Sequence, residues 1–262
     1  MDIFSFAPIA AILQAAYGLV TALSTTAAPV AGTASGLLAV VTLTILVRLI
    51  LLPVGRSQVR AEFTRRRLAP KLAELQRRHG KDRETLTRKT MELYQAEKAS
   101  PFAGTLPLLL QIPVISLVYA IFTHPLVAGH TNALLTEHAF GAPLGTSFVG
   151  LSSAGAAVWP AMPVYLCVLV LIAIVTTVSR RMLALPQPHG QTPPTGILRA
   201  ISFLPYVSVV FAAFVPLAAA VYILTSSAWT VAERVVLRRL LDPERDSREG
   251  SGDLAVRAVR GR

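Results

Sequence analysis

From Pro101 to Ser179 the chain runs for 79 residues without one lysine or arginine. Residues 1–47 have none either, while fourteen fall within 48–100 and eleven from 180 onward. A soluble basic protein spreads its cations over its surface. Cations held in blocks between long apolar runs mark a chain that crosses a bilayer several times, with its basic flanks in the cytoplasm. Composition agrees: 53% of the 262 residues are hydrophobic and the mean hydropathy is +0.56, too apolar for an ordinary soluble domain. The net charge of +11 therefore reads as topology and a local binding surface, not as a general nucleic-acid footprint. The single Cys167 has no internal disulfide partner and reads as apolar packing. The N-terminal stretch MDIFSFAPIA lacks a basic region and makes a poor secretory signal.

The expected fold class is an all-α polytopic membrane protein with five spans and a cytoplasmic helical hairpin. A spanning helix needs about 20 apolar residues. The spans fall at 33–54, 101–122, 158–179, 200–215 and 217–232. The last apolar region, 200–232, would make a helix of ~50 Å, too long for one crossing, and Pro216 lies at its middle. Two short passes fit better, because Arg180, Arg181 and Arg199 flank one end and Arg234, Arg238 and Arg239 the other. Segments 55–100, 180–199 and the tail 233–262 are then cytoplasmic, and 123–157 is extracytoplasmic. Residues 1–32 form the extracytoplasmic flank. Ile9, Ile12, Leu13, Ala16, Val20 and Leu23 recur there at helical spacing, which suits a helix lying in the outer interface. The alternative, a weak span, would put a non-basic N-terminus inside.

Segment 55–100 holds thirteen Lys/Arg against six Asp/Glu. Leu68, Leu72 and Leu75 mark one helix, kinked or restarted near Pro70; Leu86, Leu93 and Tyr94 mark a second. Gly80 reads as a C-cap and Asp82 as the next N-cap. The bland reading is a solvated basic loop. The sharper one is a docking surface through Arg65, Arg66, Arg67, Lys71, Arg77 and Arg78, for ribosomal RNA, anionic headgroups or a nascent chain. No RNA-binding motif is present.

Arg48 stands within the first span, in TILVRLILLP. A guanidinium deep in hydrocarbon costs ~2.5–3.5 kcal/mol even on the lenient insertion scale. It either snorkels to the cytoplasmic boundary or faces a polar cavity. Thr44 lies one turn before it, Gln111 sits inside the second span, Thr176 and Thr177 polarise the third, and Ser226, Ser227 and Thr230 the last. No acidic residue occurs in these spans, so the second reading calls for water or an anionic guest in the cavity. His124, His130 and His138 are spaced by six and eight residues, which fits no metal motif. Trp159, Tyr165 and Trp229 read as interfacial anchors. No metal, cofactor or catalytic dyad is expected, and hence no enzyme.

The pieces VRLILLP, LAPKLAELQ, ELYQAEKASPFAGTLPLLLQIPV and FLPYVSVVFAAFVPLAAAVYILTSS, within residues 37–235, resemble the YidC family of membrane protein insertases. The resemblance implies a five-helix core around a hydrophilic groove, open to cytoplasm and lipid and closed to the outside. The groove arginine of the family maps to Arg48, with Thr44 and Gln111 as polar neighbours. It implies insertion of nascent membrane proteins into the lipid bilayer of a bacterial plasma membrane, alone or beside the Sec translocon, with hairpin and tail receiving ribosomes or substrates. The chain resembles the shorter Gram-positive type. It departs from the family in having Ser226-Ser227 where an asparagine is expected, and in a tail that is only mildly basic. Two readings from other classes compete: a small anion channel or transporter using Arg48, and a scaffold that binds a partner through its basic hairpin.

Overall fold

Helix α1, Ala7–Ala31, lies against α2, Ser35–Ile50. Between them a 3-10 turn, Gly32–Ala34, reverses the chain, and Gly32 supplies the left-handed φ of +51° that glycine takes at no steric cost. The structure is a computed structural model describing residues 7–100, 116–124, 126–127, 130–153, 155, 159–183 and 204–241. These residues are mostly helical. They fall into two units, 7–52 with 116–231 and 53–100 with 232–241.

In the first unit, α1 is longer than its apolar periodicity suggests. The hydroxyls of Thr21 and Thr26 donate to the carbonyls of Tyr17 and Ala22, one turn back. A threonine that bonds its own helix does not end it. At 25 residues α1 is ~37 Å long, longer than a ~30 Å hydrocarbon core. Among the described residues, the helical segments Ala10–Ile50 and Ala161–Met182 are long and apolar enough to cross a membrane. The second is most of α6, Ala161–Leu183, which follows the short α5, Phe148–Ser153. Of the expected second span, 101–115 lies outside the described residues and 116–121 is helical. The expected break near Pro216 is real. Helix α7, Val207–Phe214, has eight residues, and α8 runs Leu217–Leu240. Neither α7 nor α8 is a candidate span by length and hydropathy.

The segment after residue 123 is a folded lid built on backbone bonds. It holds two minimal hairpins: β1 Leu126–Val127 with β2 His130–Thr131, and β3 His138–Ala139 with β4 Ala142–Pro143. Leu217 N and Ala218 N donate to the carbonyls of Thr146 and Leu144, at 2.9 and 3.1 Å. These are first-turn donors of α8 that have no acceptor inside the helix. The buried Tyr165 hydroxyl approaches the carbonyls of Pro143 and Thr146.

Asn132, 2% exposed, closes the lid. Its amide donates to the carbonyls of Ile121 and His124, and its oxygen accepts from Leu134 N. Replacing it with leucine removes the partner of three backbone groups, two of them in fully buried bonds, so Asn132→Leu is expected to cost about 2–4 kcal/mol. A lowered melting temperature in detergent would show this; an unchanged one would mean the lid adds no stability.

In the second unit, α3, Leu52–His79, and α4, Arg83–Ala96, form the expected hairpin. Pro53 sits in the first turn of α3, where its missing N–H has no acceptor to lose. Helix α3 does not restart at Pro70; it runs on through it. Asp82 caps α4 as expected, accepting from Thr85 N at 3.1 Å. The expected glycine end stands, since α3 stops at His79 and Gly80 follows it, but not as a left-handed cap. Gly80 stays out of the left-handed region, and a Cβ there would meet the Gln76 carbonyl at 2.5 Å, so its bareness permits a close approach. The left-handed cap is instead Lys98, φ +48°, at the end of α4. There Lys98 N and Ala99 N close onto the carbonyls of Gln95 and Tyr94, the two-bond pattern of a Schellman cap.

Candidate functional site

The buried stripe of α2 is Gly36, Ala39, Val40 and Thr44. One turn further along it stands Arg48, in the last turn of the helix. A cation there sits at the negative end of the helix dipole. In α8, residues 217–223 are all buried, and Ser226 continues that face at 3% exposure. Arg48 Nη2 donates to Ser226 Oγ. The structure thus joins two residues 178 apart in sequence, in a unit whose described core is largely hydrophobic but also buries Ser24, Thr44, Asn132 and Thr176.

The other expected residues divide around this pair. Thr44 is buried and its hydroxyl donates to the Val40 carbonyl at 2.7 Å. Thr230 likewise donates to the Ser226 carbonyl at 2.9 Å. Ser227 is half-buried. Gln111 lies outside the described residues. Thr176 is buried, and Thr177 bonds both the Ala173 carbonyl and the Tyr206 hydroxyl, with Arg180 stacked 5.4 Å from the Tyr206 ring centre. Among the described groove candidates, Arg48 and Ser226 are a pair whose side chains meet directly. A guanidinium offers five donors in a fixed fork, which suits transient pairing with a carboxylate.

In the second unit the expected docking residues make pairs of their own. Arg66 reaches Glu62 at 2.7 Å, Arg67 and Lys71 share Glu97 at 2.9 and 2.5 Å, and Arg78 pairs with Glu74. Arg77 is exposed and Arg65 half-buried. The Lys71 hydrogen bond, then the charges of Lys71 and Arg67, hold the Glu97 carboxyl below its ordinary value of 4.5. A depressed carboxylate stabilises the hairpin fully above its unfolded pKa and loses that contribution as pH falls through the folded one. The effect is small, because these groups are solvated. A cleft of about 370 Å³ lies between the helices, lined by Lys71, Glu74, Leu75 and Arg78 of α3 and by Lys89, Glu92, Leu93 and Ala96 of α4.

Sequence reasoning missed Glu137. Its carboxylate accepts from Ser24 Oγ at 3.0 Å and lies so close to the start of α2 that a Cβ on Gly36 would meet it at 1.8 Å. The available signal was that Glu137 is the one Asp, Glu, Lys or Arg between Lys98 and Arg180. Of the expected histidines, the His124 ring bonds the Ala120 carbonyl and the His138 ring the Thr136 carbonyl.

A family model described as 60Kd inner membrane protein matches residues 29–244. Among known relatives, the membrane protein insertase YidC of Allorhizobium ampelinum is 39% identical over 113 residues, 43% of this chain and 18% of that protein. The YidC of Haemophilus ducreyi is 28% identical over 205 residues, 78% of this chain and 34% of that protein. That of Cellvibrio japonicus is 38% identical over 93 residues, 36% of this chain and 17% of that protein. The matched part thus spans at most about a third (34%) of the length of these relatives.

Proposed function

We propose, from the premise that this chain belongs to the 60Kd inner membrane protein family, the family of the YidC insertases, that it inserts nascent proteins into a bacterial plasma membrane. The observation that carries the reading is the Arg48–Ser226 pair, a half-buried guanidinium bonded to a buried hydroxyl between two largely apolar helices. A substrate's short acidic tail must cross hydrocarbon, and burying its carboxylates alone is prohibitive. A hydrated groove around Arg48 shortens the crossing, and the guanidinium offsets the desolvation. The apolar segment then leaves sideways into lipid, driven by burial of its surface at ~25 cal/mol per Å². Pairing must be brief, since a tight complex would trap the guest. No bond is made or broken, so the protein acts without enzymatic chemistry. The tail and the basic hairpin are cytoplasmic in this reading, and serve to receive ribosomes, substrates or the Sec translocon.

The test is reconstitution in liposomes. A single-span protein with an acidic outer tail should become protease-protected only in vesicles holding the chain. Chloride conductance without insertion would decide for the anion-channel reading. Full insertion after deletion of 56–98 would remove the hairpin from the working part.

A further inference from the structure

Residues Phe140 and Gly141 are the two central residues of the β3–β4 hairpin, with φ +53° and +80°. Two successive positive φ values make the turn that asparagine and glycine fill cheaply. A bulky aromatic there is strained, so its retention calls for a return outside the turn. Phe140 makes none by burial, being 65% exposed. Gly141 lies against the Pro160 ring, where a Cβ would meet Pro160 Cγ at 2.9 Å. Beside Pro160 is Trp159, 78% exposed. Two exposed aromatics are thus carried on touching segments just before α6.

Helix α6 sets their level. From Ala161 to its first cation, Arg180, α6 holds 20 residues, a rise of about 28 Å, which matches a ~30 Å hydrocarbon core. With Arg180 and Arg181 at one boundary, Trp159 and the Phe140 turn stand at the other. With no lysine or arginine anywhere in 101–179, an anionic partner has nothing to pair with there. We propose that Phe140 and Trp159 form a two-point anchor that seats the lid in the headgroup–acyl boundary of the leaflet remote from Arg180. The occupant is lipid surface, held by burial of the Phe140 ring and by the amphipathic indole of Trp159, and not by charge. This rests on the membrane-spanning reading of α6, so the experiment separates the two.

The chain is reconstituted in phosphatidylcholine vesicles brominated either near the headgroup end or near the chain terminus. One tryptophan is kept at a time: Trp159 in Trp229→Phe, Phe140→Trp in a Trp159→Phe, Trp229→Phe background, and Leu171→Trp in that same background. The expected result is about twofold loss of emission with shallow bromine and little with deep bromine, both for Trp159 and for the Phe140→Trp reporter. The mid-helix Leu171→Trp reporter should show the reverse. Exchanging part of the lipid for an anionic one should change neither. If Leu171→Trp is quenched by deep bromine while Trp159 and Phe140→Trp respond only to aqueous acrylamide, the anchor is overturned and the span stands. If Leu171→Trp is also quenched only from water, the spanning reading fails and the anchor with it. Trp159 needs no change in the turn, so a folding defect of Phe140→Trp does not shield the proposal.

Discussion

An Arg48→Glu variant is expected to lose insertion of an acidic-tailed substrate almost completely, by about 100-fold, while inserting a substrate with a lysine-containing tail better than the parent does. At an effective dielectric of ~20, opposite charges 4 Å apart attract by ~4 kcal/mol, and reversing one turns this into a similar repulsion. Even a third of that swing gives a hundredfold change in rate. Arg48→Lys should retain most activity on acidic tails, because it keeps the charge and loses only the fork. Arg48→Ala should fall between Lys and Glu. Folding is a lesser concern: Ser226 can donate to a glutamate as it now accepts from the arginine, and a like-signed charge at a helix C-terminus costs only about 0.3–1 kcal/mol. The readouts are protease protection for each tail and a melting curve for each variant. If Glu inserts acidic tails as well as Arg does, electrostatic attraction is the wrong account of this site. If all three variants fail alike on every tail with intact melting, Arg48 shapes the unit rather than receives the guest.

What the sequence disclosed and what it withheld follow from the range of the forces involved. Local chemistry was legible. Asp82 before α4 accepts from Thr85 N because a short acidic side chain at that position reaches the third amide. Pro216 breaks the last apolar run because it cannot continue the preceding helix. Arg48 and Ser226 were both visible as polar intrusions into apolar runs, although nothing in the chain linked them to each other. Long-range effects were hidden. A proline in a helix interior costs about 3 kcal/mol, yet Pro70 leaves α3 unbroken. Leu68 beside it is fully buried, and Arg66, Arg67 and Lys71 around it are tied to carboxylates. Such contacts override local propensity. The lid has no period to read: its strands are two residues long, and Asn132 holds it through carbonyls 11 and 8 residues away. Glu137 meets Ser24 across 113 residues, a separation no window of sequence spans.

Breaking the Glu62 network in the second unit should have the other large effect, this time on stability. Glu62 accepts from Arg66 on its own helix and from Nε and Nη2 of Arg238 at the end of α8. The side chains of Glu62 and Arg238 are 15% and 18% exposed, so this is not a solvated surface pair. Removing one member of such a pair leaves the other charge desolvated, at a cost of about 3–5 kcal/mol. Replacing both with apolar residues of similar size is often close to neutral. Glu62→Leu is therefore expected to be worse than Arg238→Met, because it takes a carboxylate from two guanidiniums at once, whereas Arg238→Met leaves Glu62 its bond to Arg66. The double variant should recover the part of the loss that belongs to Arg238, while Arg66 still lacks the Glu62 carboxylate. Amide hydrogen exchange over residues 58–70 is the measurement: opening made easier by ~3 kcal/mol speeds exchange by roughly 100-fold where opening is local. A double-mutant cycle then isolates the coupling. Single variants that exchange at the parental rate would show the network to be an ornament of the hairpin. Singles that fail with a double that fails equally would mean that packing around the aliphatic stems, not the paired charge, holds α3 to the end of α8.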